Sequence, residues 1–318
     1  MIDIPTVFIL GAGASVPYGY LIAADLRTSI IKNFHDQLYL LLKKEGIEEP
    51  DVKNFVDGAQ EFINVFKRSG VESIDKFLSV TPSFTNYGKI AIILSMLHEE
   101  KKSNLHKETG PSGAREDWYK LLFNRMISEL KQPSDFVKFR ENKVAFITFN
   151  YDRSFDYFLY DSFSHTFFDK RREFETSINK YIPFPIIHVY GQVDEIKWFG
   201  GSDYHASYDF RTIEKLSHNI KVIEERSRDL DEIAKIISTH KRIFFLGFRY
   251  AEENMDAIGM PESVNEDWNI YGTAYGMTEK EISNVKKTFI KNFRDKSGRI
   301  TNPRIENKTC YELLREYL

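Results

Sequence analysis

Thr6-Val7-Phe8-Ile9-Leu10-Gly11-Ala12-Gly13-Ala14-Ser15 decides how this chain is read. The first five residues are β-branched, aromatic or aliphatic and stop at a glycine, which is the pattern of a short buried strand. The next five are small. Without side chains, a backbone can approach a pyrophosphate closely, and free N–H groups at the start of a following helix point at the anion. Ser15 adds a hydroxyl. After a turn at Pro17 and Gly19, Leu21, Ala24, Leu26, Ile30, Ile31 and Phe34 recur at helical spacing. The stretch therefore predicts strand, tight turn and helix. The plainer alternative is a tight strand-to-helix turn that binds nothing. The dinucleotide fingerprint wants a third glycine where Val16 stands, and no Gly-Lys-Ser/Thr follows to make a Walker loop.

Strand character returns at Val144–Phe149, Pro185–Val189, Arg242–Leu246 and Trp268–Ala274, the last strand expected. Helical spacing fills Ser154–Ser162, Ile213–Thr239 and Thr278–Phe293. From Gln37 to Leu130 only helical spacing is found, as in Phe55, Phe62, Ile63 and Phe66, or Ile90, Ile93, Leu94 and Leu97. The polar stretch Glu99–Glu116 reads as an exposed loop. Short strands alternating with helices predict an α/β fold, a doubly wound Rossmann-like parallel sheet, with an inserted helical layer. The expected division is 1–36 and 142–300 for the sheet domain, 37–141 for the inserted helical subdomain, and 301–318 for a C-terminal segment. In that segment Leu313, Leu314 and Leu318 have helical spacing, so it docks on the core or on another subunit.

The 318 residues are 42 % hydrophobic and 29 % charged, enough for a substantial core. The 26 Phe and 17 Tyr favour packed aromatic cores or flat pockets. A net charge of −3 excludes a globally basic nucleic-acid binder. Cys310 stands alone, which excludes an internal disulfide and a cysteine-rich zinc ribbon. MIDIPTVFIL lacks the charged and apolar regions of a secretory leader, and no apolar run reaches the length of a membrane span. A cytoplasmic protein is expected. His35, His98, His106, His165, His205, His218 and His240 show no metal-pair spacing; Asp203-Tyr204-His205 reads as a surface loop. No structural metal is expected.

In a doubly wound sheet, ligands sit outside the carboxyl ends of the strands. The second strand ends in Asn150-Tyr151-Asp152, the third in His188-Val189-Tyr190-Gly191, and the fourth in Gly247-Phe248-Arg249-Tyr250 with Glu252, Glu253 and Asn254 beyond. Each has an ordinary reading. Asn150 and Asp152 cap a helix, His188 is a core histidine bonded to a carbonyl, and Gly247 is a turn residue. Their joint occurrence at strand ends argues for a site.

Together these residues resemble the Sir2 family, the sirtuins and their divergent bacterial relatives. The Gly-Ala-Gly-x-Ser loop at Gly11–Ser15, the Asn-x-Asp at Asn150 and Asp152, His188 with its following glycine, and Gly247 occur in the family's order, over roughly Thr6 to Gly276. Departures are the missing four-cysteine zinc module, Phe149 where deacylases carry Gln, the His188-to-Gly191 spacing, and the long helical insertion. Asp25-Leu26-Arg27 echoes the family's Asp-Phe-Arg at a longer spacing. The pattern is closer to the NAD-cleaving Sir2-like domains of anti-phage defence than to a protein deacylase.

The resemblance implies NAD as substrate, no zinc, and cleavage of the nicotinamide–ribose bond to nicotinamide and ADP-ribose or its cyclic form. It implies that Gly11, Ala12, Gly13, Ala14 and Ser15 hold the pyrophosphate, with Gly247 and Thr273 beside the adenosine half. Asn150 would position water or ribose hydroxyls, Asp152 would orient the nicotinamide amide or support the cationic transition state, and His188 would be general base, with a pKa near the ordinary value of about 6.5. It also makes an activating partner or a homo-oligomer plausible. The alternatives are an NAD-dependent deacylase and a non-catalytic nucleotide-binding sensor or assembly subunit.

Overall fold

The computed structural model describes residues 1–46, 48–105, 117–223, 225, 230–258, 268–292 and 302–318. Among them lies one six-stranded sheet: β1 (Thr6–Leu10), β2 (Val144–Thr148), β3 (Ile186–His188), β4 (Arg242–Leu246), β5 (Asn269–Thr273) and β6 (Arg304–Glu306). The strand order is β3-β2-β1-β4-β5-β6, and every pairing is parallel. This is the doubly wound Rossmann-like order, which reverses direction between β1 and β4.

The register follows from the aromatic residues. Phe8 lies opposite Phe146 and Phe244, and Phe244 opposite Tyr271. Their rings stack across one face at 5.3, 5.5 and 4.7 Å. Each such pair adds about 0.5–1.5 kcal/mol beyond its burial. A slip of one residue on any strand sends its ring to the opposite face.

The helices are α1 (Ala23–Lys44), α2 (Glu49–Arg68), α3 (Ile74–Val80), α4 (Thr85–Lys102), α5 (Trp118–Ile127), α6 (Ser154–Thr166), α7 (Arg171–Phe174), α8 (Phe210–Ser217), α9 (Leu230–Thr239), α10 (Glu252–Ile258), α11 (Glu279–Asn292) and α12 (Cys310–Tyr317). Those from α1 to α5 all fall between β1 and β2. On α1, Leu26, Ile30, Phe34, Leu38 and Leu42 recur every four residues and form a buried stripe. That helix runs unbroken past residue 36. On α4, buried residues surround the axis, including Ile90, Ala91, Ile92, Ile93, Met96 and Leu97, so it is the centre of its layer. Buried apolar side chains of the sheet and of these helices form one continuous cluster.

Three expectations from the sequence are corrected. The helix expected over Ile213–Thr239 is divided into α8 and α9, because after Ser217 the chain turns. There Lys221 donates its N–H to the Tyr190 carbonyl at 2.9 Å, and a side chain at Gly191 would meet the Asn219 carbonyl. Trp268–Ala274 does not hold the last strand: β6 extends the sheet, and its three residues carry a single buried apolar side chain, Ile305. Of the loop expected over Glu99–Glu116, residues 99–102 complete α4 and 106–116 lie outside the described residues.

Candidate functional site at the carboxyl edge of the sheet

The loop after β1 is two consecutive 3-10 turns, Ala12–Ala14 and Val16–Tyr18, closed by Gly19 at φ 96°. The first α-helix begins only at Ala23, so the loop does not run directly into an α-helix. Its backbone donors are mostly engaged. Gly11 donates to Leu246 O at 2.9 Å, Gly13 to Gly247 O at 3.0 Å, Ala14 to Gly11 O at 2.9 Å and Ser15 to Ala12 O at 3.2 Å. Within the loop, the N–H groups of Ala12 and Val16 have no acceptor among the described residues. The expected row of free N–H groups is broken up, because the end of β4 takes those of Gly11 and Gly13 and the loop's own carbonyls take those of Ala14 and Ser15.

The glycines are explained by that contact. A Cβ on Gly11 would lie 2.6 Å from Gly247 O, and one on Gly13 would lie 2.9 Å from it. Gly247 has φ 58°, and its own Cβ would lie 1.9 Å from the Ala14 nitrogen. Two strand ends therefore pack backbone against backbone at the switch point. Thr273 supports the arrangement: its Oγ1 accepts the Gly247 N–H at 2.8 Å and donates to Phe245 O at 3.4 Å. The inserted helices hold the other side. Trp118 Nε1 donates to Ala14 O at 2.8 Å, and Tyr18 O accepts from Ser103 Oγ and the Asn104 N–H at 3.0 and 3.1 Å.

Register places Leu10, Thr148 and His188 side by side at the ends of β1, β2 and β3. Beyond them the expected site residues meet. Asn150 Nδ2 donates to Ser15 Oγ at 2.9 Å, joining the β2 turn to the glycine loop. Asn150 Oδ1 is buried and has no hydrogen-bond donor. Asp152 Oδ1 accepts the Ser154 N–H at 3.0 Å and also bonds the Ser154 hydroxyl, so it does cap α6. The Asn150 side chain does not cap; it crosses to β1's loop.

His188 has both ring nitrogens engaged. Nδ1 lies 3.2 Å from the Asn150 carbonyl, and Nε2 lies 3.2 and 3.3 Å from the two carboxylate oxygens of Asp156. Burial alone lowers the His188 pKa. The charge and hydrogen bond of Asp156, the Asn150 carbonyl and the charge of Asp152 outweigh it and hold the imidazole above its ordinary value. An imidazole near that value was expected; the neighbouring carboxylate makes the difference. Burial pushes the Asp152 carboxyl up, against hydrogen bonds from Ser154 and Ser15 and the charge of His188. Burial raises Glu195, as does Asp156.

Aromatic rings wall the same edge. Phe149 meets Phe248 edge-on at 5.1 Å and Tyr190 at 5.8 Å, while the Tyr190 hydroxyl donates to Asn254 Oδ1 at 2.7 Å. Beside them Arg153 is almost fully buried. Nε and Nη2 grip both oxygens of Glu100 at 2.9 Å, Nη1 donates to the carbonyls of Glu195 and Ser202, and Nη2 also to that of Asp203. This ties the end of α4 to the start of α6 and to the loop after β3.

Sequence reasoning missed Asp156 and Arg153. The spacing Asn150-x-Asp152-x-x-x-Asp156 was the available signal for the first, since a carboxylate one helical turn beyond Asp152 faces the same way. Arg27 of the Asp25-Leu26-Arg27 echo lies elsewhere, on the carbonyls of Phe66, Lys67 and Val71. The described residues contain no group of three or more His, Cys, Asp or Glu arranged to hold a metal, and no helix among them is long and apolar enough to cross a membrane. No family model matches the chain, and no curated protein matches it significantly.

Proposed function

We propose that this chain is an NAD glycohydrolase of the Sir2-like kind, cleaving the nicotinamide–ribose bond to release nicotinamide and ADP-ribose or its cyclic form. The observation that carries the reading is the meeting of Ser15, Asn150, Asp152 and His188 from three neighbouring strand ends, with Asn150 Oδ1 buried and lacking a donor. A buried acceptor without a donor costs about 1–3 kcal/mol, and a ribose hydroxyl or a water bound there would remove that cost.

The bond that breaks leaves positive charge on the ribose. Asp152 is a desolvated carboxylate, and fixed negative charge in a dry site stabilises such a transition state strongly. Asn150 orients a ribose hydroxyl or the attacking water. His188 takes the proton, which requires one of its two present hydrogen bonds to open. The Ala12 N–H is an available donor of the loop for the pyrophosphate, with Gly11, Gly13, Ala14 and Ser15 forming the floor beneath it. Gly247 and Thr273 shape that floor from the β4 side. The enzyme acts in the cytoplasm, where its substrate is, and the resemblance to anti-phage domains suggests control by an oligomer or an activating partner.

One observation favours a second reading. An imidazole with both nitrogens engaged also suits a nucleotide-binding subunit without chemistry. Incubating the pure protein with NAD, with and without an acetylated peptide, separates the cases. Nicotinamide released without peptide supports the glycohydrolase. Release only with peptide means a deacylase, and bound but intact NAD means a sensor.

A further inference from the structure

We propose that Asp156 is the positioning residue of His188: its carboxylate on Nε2 fixes the neutral ring as the Nε2–H tautomer and leaves Nδ1, beside Asn150, as the basic nitrogen. What that nitrogen is used for rests on the NAD-cleaving reading above.

The geometry carries the assignment. Both partners of the ring, the Asn150 carbonyl at 3.2 Å and the Asp156 carboxylate at 3.2 and 3.3 Å, only accept hydrogen bonds. A ring that keeps both contacts donates from both nitrogens and is an imidazolium. Losing a proton must break one of the two contacts. A hydrogen bond to an ionised acceptor is roughly twice as strong as one to a neutral carbonyl. The pair is also dry, with the His188 and Asp156 side chains 8 % and 11 % exposed. The proton on Nδ1 is the one that leaves.

Asp156 is held for this role by its element. It sits in the first turn of α6, where the helix dipole favours an anion, and Phe155 of α6 packs on Phe146 of β2, the strand before the Asn150 turn. The charged and titratable groups that face the pair are Asp152 from the turn before α6, Glu195 from the loop after β3, and Tyr160 from α6 itself. Asp152 and Glu195 also favour a protonated ring, but only Asp156 contacts a ring nitrogen. In the reaction, a proton from a ribose hydroxyl or from the attacking water ends on Nδ1. The positive charge this creates on the ring is shared with Asp156, and no redox partner is needed.

The full chain labelled with 15N-histidine tests this by long-range proton–nitrogen correlation, with His188→Gln identifying the resonance. The wild-type ring is expected to titrate above about 6.5 and, once neutral, to carry its proton on Nε2. Asp156→Asn presents an amide N–H to Nε2, so the proton moves to Nδ1 and the midpoint falls. Asp156→Glu keeps the wild-type tautomer. In NAD cleavage, Asp156→Asn should lower kcat about 10³–10⁴-fold, the size of a lost tautomer, with KM little changed and the rising limb of the pH profile moved to lower pH. Asp156→Glu should recover most of the rate. A neutral wild-type ring protonated on Nδ1 overturns the assignment, even if no Asp156 variant folds. So does an Asp156→Asn ring with unchanged tautomer and midpoint. A wild-type protein that releases no nicotinamide overturns the glycohydrolase reading instead, and the tautomer still decides the role of Asp156.

Discussion

Gly247, at φ 58° and with a virtual Cβ 1.9 Å from the Ala14 nitrogen, has room for hydrogen alone. Gly247→Ala is expected to cost about 3 kcal/mol or more, from left-handed strain and a backbone clash together. Gly13→Ala, in ordinary φ and 2.9 Å from Gly247 O, should cost about 1–3 kcal/mol. Urea denaturation reads both, and wild-type stability in Gly247→Ala would refute the close-approach account. The sequence showed that these glycines were needed, but not that their partner is another turn of the same chain. Asp152 behaves differently. Its carboxyl is buried at a cost, so Asp152→Asn keeps the acceptor for the Ser154 N–H and removes a desolvated charge. That variant should melt at or above the wild-type temperature while NAD cleavage falls about 10²–10³-fold. A lower melting temperature would mean that Asp152 serves the fold. Despite its spacing from Asp152, Asp156 does not stand out in the sequence, because an acid in the first turn of a helix is ordinary.

Between elements, Arg153 is a buried polar connection between the inserted helices and the loops at the sheet edge. It joins Glu100 at the end of α4 to the carbonyls of Glu195, Ser202 and Asp203, and Glu100 Oε1 also accepts the His205 N–H at 2.8 Å. Arg153→Met leaves the Glu100 carboxylate buried without its partner and should cost about 3–5 kcal/mol. In Glu100→Gln the guanidinium keeps Asp194 at 3.7 Å, so the loss should be smaller. The double variant should lose clearly less than their sum, read by thermal or urea unfolding. Additive losses would mean the two side chains act separately. β1 to β5 were legible because each lies in a compact, mostly apolar run of about the usual strand length. β6 was not, since Arg304 and Glu306 flank its one buried residue, and its identity comes from pairing with β5. The break between α8 and α9 was hidden for a related reason. Helical spacing continues in the sequence while a backbone contact to Tyr190 redirects the chain.

Across the whole molecule, the parallel order β3-β2-β1-β4-β5-β6 collects the strand ends on one edge. On its β4 side, glycines seal the switch point; on its β3 side, polar side chains from three strands meet. The reading of this edge as a place where NAD is cleaved is tested most directly by a proton NMR time course. NAD is mixed with the purified full chain, and in parallel with Asn150→Ala and His188→Ala shown to be folded. Nicotinamide signals should grow with the wild type and about 10²–10⁴-fold more slowly with His188→Ala, and Asn150→Ala should be slowed as well. An NAD spectrum unchanged by the wild type, or equal rates in all three samples, would contradict the account.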